Sequence, residues 1–139
     1  MVPAPRFRRV ELGSPEPLPF DPEPAYLVIG SAEELSRFLG VHRWSPPIDW
    51  SREVLLVASR GECPTGGYTV AISRLERRPS ETLKATVTFG DPAPTDFVTM
   101  VVTYPRAAVA VERDSVTGVS EVIFAGPGDD VLARVKVEL

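Results

Sequence analysis

From Glu53 to the C-terminus, hydrophobic and polar positions settle into a two-residue period. Before Glu53 the pattern is helical or broken by proline. Val54 to Ala58 is a continuous apolar run, the mark of a strand buried on both faces. Tyr68, Val70 and Ile72 alternate with Thr69, Ala71 and Ser73, and Leu83, Ala85, Val87 and Phe89 alternate with Lys84, Thr86 and Thr88. Each set predicts a half-buried strand. Further strands are predicted at Phe97 to Thr103, Ala107 to Glu112, Val119 to Ala125 and Val131 to Leu139. Their breaks fall at Gly90 to Asp96, Tyr104-Pro105, Asp114 to Thr117 and Gly126 to Asp130.

The N-terminal third follows other rules. Nine of the 15 prolines lie between Pro3 and Pro47, and proline removes a backbone donor, so residues 1–24 are expected to be extended. Within them Phe7 to Leu12 reads as an edge strand, with Leu18 and Phe20 apolar enough to dock on a core. Tyr26 to Ile29 is a short β-favouring run. Ser31 with Glu34 then matches a capping box, Leu35, Phe38 and Leu39 share a face, and Gly40 supplies a stop, which together predict one short helix. Trp44 and Trp50 flank Pro46-Pro47 in a loop, as large rings for the core or its rim.

The expected fold is mainly β: an antiparallel sandwich or barrel-like roll of about eight strands with one short helix. There are too few helices to carry parallel crossovers. No repeat or composition shift divides the chain, so residues 1–139 are read as a single domain.

A net charge of −4 opposes a phosphate-backbone binder, and the Arg6, Arg8 and Arg9 group is diluted by Glu11, Glu16, Asp21 and Glu23. Nucleic acid is not an expected partner. No apolar run approaches the ~20 residues of a membrane span, and Met1 to Arg9 lacks the apolar core of a leader peptide. As written the chain reads as cytoplasmic, and as exported if a leader has been removed. Cys63 is the one cysteine, so no internal disulfide framework can form.

No constellation for catalysis can be named. Cys63 and the single histidine, His42, carry no flanking signature of a catalytic dyad. Asp91, Asp96, Asp129 and Asp130 sit in turns, where aspartate serves as a local backbone acceptor, and Gly128-Asp129-Asp130 lacks the spacing of a calcium loop. The expectation is therefore a non-enzyme with no metal and no cofactor.

The most informative stretch is Pro64-Thr65-Gly66-Gly67-Tyr68, set between two strand-like runs. Paired glycines permit positive φ and the close approach of another surface. That supports either a hairpin turn or bulge, or an exposed loop that docks on a protein partner.

Several segments carry a resemblance when taken in order. They are Val54 to Ala58, Pro64 to Tyr68, the strand at Leu83 to Phe89, the Asp91-Pro-Ala-Pro94 loop, and Thr103-Tyr-Pro-Arg-Ala-Ala-Val-Ala-Val111. Together they resemble the C-terminal domain of the PrcB family, over about Glu53 to Arg113. The family is named for a protease-complex subunit. The resemblance implies a non-catalytic accessory module that associates with a protease or other protein and stabilises it, and Pro64, Thr65, Gly66, Gly67 and Tyr68 are the expected partner-binding residues. Homo-oligomerisation is left open. The alternative is a chagasin-like protease inhibitor, a family with an asparagine-proline-threonine-threonine-glycine-tyrosine loop. Here Cys63 stands at the asparagine and Gly66 at the second threonine, and the arginine-proline-tryptophan loop of that family has no clean match.

Overall fold

The apolar run after Glu53 decides the architecture, because a strand with no polar face must be covered on both sides. The computed structural model describes residues 5–11, 23–39 and 47–139. Among them, strand β3 (Glu53–Ser59) lies between β2 (Ala25–Ile29) and β6 (Arg106–Glu112), and β1 (Phe7–Val10) completes a sheet of order β1-β6-β3-β2. All pairings in this first sheet are antiparallel. The second sheet has the order β4-β5-β7-β8, from β4 (Thr69–Arg78), β5 (Thr82–Gly90), β7 (Glu121–Ala125) and β8 (Val131–Lys136). Of the two expected forms, the separate sheets make a sandwich rather than a closed barrel.

Val54, Leu56 and Ala58 of β3 pack against Leu75, Leu83, Val87, Val122 and Phe124 in the core between the sheets. The alternate residues Leu55 and Val57 meet Leu35 of α1 (Ala32–Leu39), with Ile48 and Trp50 packed against the same cluster. On β6 the residues facing that outer layer are Ala108 and Ala110, and such short side chains leave room for a close covering layer. Helix α1 begins as its capping box dictates, with Glu34 N donating to Ser31 Oγ at 3.2 Å. The Glu34 carboxylate reaches back to Gly30 N at 3.1 Å, one residue earlier than the usual box.

Three expectations are corrected. The sheet is not wholly antiparallel, since β5 and β7 run parallel. The crossover between them needs no α-helix, because it passes through β6 in the other sheet and one 3-10 turn, Arg113–Val116. Strand β4 continues to Arg78, past the point where its alternation breaks at Ser73. A bulge there sets Ile72 opposite Val87 and Arg74 opposite Thr86, so Ile72 and Leu75 both reach the core despite their spacing of three. The strand expected at Phe97 to Thr103 does not form, and only Thr103 makes an isolated bridge, to Cys63. β-propensity reflects fit to a half-buried pleated surface. Between Pro94 and Pro105 the chain has no sheet face to bury, and Phe97 and Met100 stand in solvent.

β1 is an edge strand, as expected, and ends at Val10. Leu12, Leu18, Phe20, Gly40, His42, Trp44 and Pro46 lie outside the described residues, as do the side chains of Phe38 and Leu39. Arg8 fastens β1 from the side. Its Nε and Nη2 donate to Glu53 at 3.0 and 2.9 Å, and Nη2 also donates to Pro47 O at 2.9 Å.

Those Arg8 hydrogen bonds, with one from Asp49 N, hold the Glu53 carboxyl below the ordinary carboxylate range. The stabilisation is complete above the unfolded pKa of about 4.3 and is lost as pH falls through the lower folded value. Glu53→Gln should cost roughly 1 kcal/mol at neutral pH, and thermal melts should show its gap to wild type closing as pH falls below about 4. A gap that persists in acid would mean that the glutamate acts through its shape rather than its charge.

Candidate functional site

Ser59 ends β3 fully buried, and the chain then leaves the sheet at Arg60. This side chain is the hub of the region. Its Nη1 donates to Thr69 O at 3.0 Å and to Gly90 O at 2.7 Å, and Nη2 pairs with Asp91. The guanidinium also lies over the rings of Tyr68 and Phe89, with centroids 5.0 and 5.3 Å from Cζ, within cation–π range. One cation thus joins the end of β3 to the start of β4 and the end of β5. Phe89 follows the alternation of β5 but lies past the core, 41% exposed beneath Arg60, whereas Leu83, Ala85 and Val87 are buried.

The turn that follows is tied to residues 92–105. Arg60 N donates to Pro105 O at 2.9 Å, Cys63 and Thr103 exchange backbone bonds at 2.8 and 2.9 Å, and Gly66 N donates to Thr99 O at 2.9 Å. Thr103 Oγ1 donates to Thr65 O at 2.7 Å. A Cβ on Gly66 would run into Thr99 Oγ1 and stand 3.4 Å from Thr99 N. Gly67 has φ +90°, and a Cβ there would lie 2.8 Å from Pro92 Cβ and 2.9 Å from Val98 Cγ1. Both glycines therefore lie against another segment of their own chain, Gly67 too closely for a Cβ to fit without moving Pro92 or Val98.

Of the expected partner-binding residues, Pro64 and Gly67 are exposed, while Thr65, Gly66 and Tyr68 are half-buried. A groove of about 440 Å³ runs beside them, lined by Gly66, Gly67, Tyr68 and residues 101–106. The segment they hold presents Phe97, fully exposed, with Met100 at 83%, Val101 at 59% and Val102 at 49%. From Phe97 to Tyr104 there is no charged residue. Sequence reasoning read this run as a strand and so missed its surface. The flanking Pro92, Pro94 and Pro105, which deny a sheet its donors, were the available signal.

Cys63 is 5% exposed, with Sγ 3.9 Å from Gly61 O. The turn aspartates are not all local backbone acceptors: Asp91 pairs with Arg60 and Asp129 with Lys84, 31 and 45 positions away in the chain. Asp96 Oδ2 accepts from Ala93 N at 2.7 Å, and Asp130 O accepts from Gly126 N at 2.9 Å. Among the described residues no group of three or more His, Cys, Asp or Glu is placed to hold a metal. No described helix is long and apolar enough to cross a membrane.

The sequential arrangement of β3, the threonine-diglycine-tyrosine turn, β4, β5, the proline loop and β6 is the one that carried the family resemblance. Residues 54–112 match the PrcB C-terminal family. The PrcB-type segment supplies the two central strands of the first sheet and β4 and β5 of the second, together with the whole turn-and-loop assembly. Its strands are completed on either side by β1, β2, β7 and β8, which lie outside the match. No curated protein and no solved structure matches the chain. The family name points to a protease complex.

Gly118 offers an internal control for Gly67, because it too has positive φ (+83°) but has nothing within 4 Å of an added Cβ. Alanine at either position meets the left-handed strain of about 1–2 kcal/mol. Gly67→Ala must in addition displace Pro92 and Val98, so urea unfolding should show it less stable than Gly118→Ala by roughly a further 1–3 kcal/mol. Equal losses would mean that the loop yields freely.

Proposed function

We propose that this chain is a non-catalytic accessory module that associates with a protease, or another protein of its complex, and stabilises it. The observation that carries the reading is an uncharged, largely exposed loop, Phe97 to Val102, tied to the turn beside it by Gly66 N donating to Thr99 O, with the Cys63–Thr103 bridge next to its C-terminal end. Exposed apolar patches on soluble proteins are commonly binding surfaces. A loop braced at its middle and at its C-terminal end also avoids part of the ordering entropy that docking a mobile segment would cost. The match of residues 54–112 to the PrcB C-terminal family supports a protease complex as the setting.

The chagasin-like inhibitor is the second reading. It is favoured by the same braced loop, because a fully exposed Phe97 could enter a protease's substrate cleft.

Affinity capture from a native extract, followed by a protease assay of the eluate before and after adding excess chain, separates the two. The accessory reading expects a captured protease that stays active or lasts longer when more chain is added. Silencing of that protease would make the chain an inhibitor, and capture of no specific protein would remove both readings.

A further inference from the structure

Independently of the accessory reading, we infer that the edge of β4 pairs antiparallel with the same edge of a second copy of this chain. The two-fold axis passes through Leu75, so that Arg74 of each copy meets Glu76 of the other. β4 ends the second sheet, and among the described residues no strand pairs with its outer side. At ten residues it is also the longest described strand. Such an edge offers a row of backbone donors and acceptors to another strand. The far side of the sandwich differs, because there β2 lies against β8.

Charge selects the occupant and its register. Leu75 is 2% exposed and turns to the core, so Arg74, Glu76 and Arg78 stand together on the outer face. Arg74 Nε lies 3.2 Å, and Arg78 Nη2 3.4 Å, from the Glu76 carboxylate. An edge of one sign repels its own copy in every register, which is the pattern of Arg134 and Lys136 on β8. On β4 the signs alternate.

Residues opposed across an antiparallel pair share a face, with Cβ atoms about 4.5–5.5 Å apart, and opposite charges there attract. An axis at Arg74 sets that arginine against itself, and an axis at Glu76 sets Arg74 against Arg78. An axis at Arg77 brings Pro79, which has no amide to donate, into the ladder. An axis at Leu75 joins Arg74 to Glu76 twice, sets Arg77 against Ser73, and leaves Arg78 beside its own Glu76. The bulge at Ser73 shifts the strand beyond it and ends the new ladder there. The paired segment, Ser73 to Arg77, spans about five residues, an ordinary strand length. So small a contact makes a weak dimer, with Kd on the order of 100 µM.

The test is sedimentation equilibrium of the full chain, from about 10 µM to 1 mM across that Kd. At low salt the average mass should climb from that of one chain toward that of two, and added salt should reduce the rise. Glu76→Arg and Arg74→Glu each set like charges against each other, and each alone should weaken association at least about tenfold. Both change side chains on the outer face and should melt near wild type. Mixed in equal amounts, the two variants should associate again, because every arginine of one then meets a glutamate of the other. No contact within a single strand can produce that rescue.

A wild-type chain that stays monomeric throughout would overturn the inference. Association that survives Glu76→Arg would place the contact on another surface, and a mixture that remains monomeric would show that Arg74 and Glu76 do not meet; either result overturns it. The accessory reading stands or falls separately, since none of these measurements contains a protease.

Discussion

Gly67 passes so close to Pro92 and Val98 that no side chain could stand between them, while Gly66 lies against Thr99, and the placement of the apolar loop follows from that contact. Gly66 donates its amide to Thr99, which fixes the middle of the loop, while the Cys63 and Thr103 bridge fixes its far end. Between those ties Met100 is 83% exposed, and Val101 and Val102 are 59% and 49% exposed along the groove beside the turn. A turn that merely reversed the chain would need positive φ at one residue. The additional demand for a missing Cβ at Gly67 comes from Pro92 and Val98 lying against it.

That contact is held to the sandwich by Arg60. The residue follows β3, whose alternate faces are packed against the second sheet and against the layer of α1, Ile48 and Trp50. A strand fixed on both sides gives Arg60 an immobile base. From there it collects two carbonyls, one carboxylate and two ring faces from the start of β4 and the end of β5. A guanidinium suits this task because its fork of donors and its flat face can be used together, which an ammonium cannot match. Rigidity thus passes from the core, through one side chain, to the loop that meets solvent.

The parts of this arrangement that the sequence made legible are those fixed by local pattern. Ser31 with Glu34 specifies the helix start, Val54 to Ala58 specifies a doubly covered strand, and the alternation of Leu83, Ala85 and Val87 specifies a one-sided strand. The diglycine turn was visible as a backbone feature, but not which surface came close to it, because Thr99 lies 33 positions from Gly66. Ser73 hid the second half of β4, since a bulge erases the two-residue period that reveals a strand. Phe97 to Thr103 has the composition of a strand and none of its setting, and only the surrounding prolines argue otherwise. Arg60 carries no local signal of its role, because the partners that give it one come from two other strands.

Amide hydrogen exchange in the isolated chain is the most direct test of the central claim, that the turn clamps the loop while leaving its apolar side chains exposed. The account predicts that the amides of Cys63, Gly66 and Thr103 exchange at least about tenfold more slowly than those of Met100 and Val101, because the former are hydrogen-bonded across the two segments and must open before they exchange. Uniformly fast exchange through both segments would contradict it, for the loop would then be unclamped and its exposed side chains would share no fixed surface.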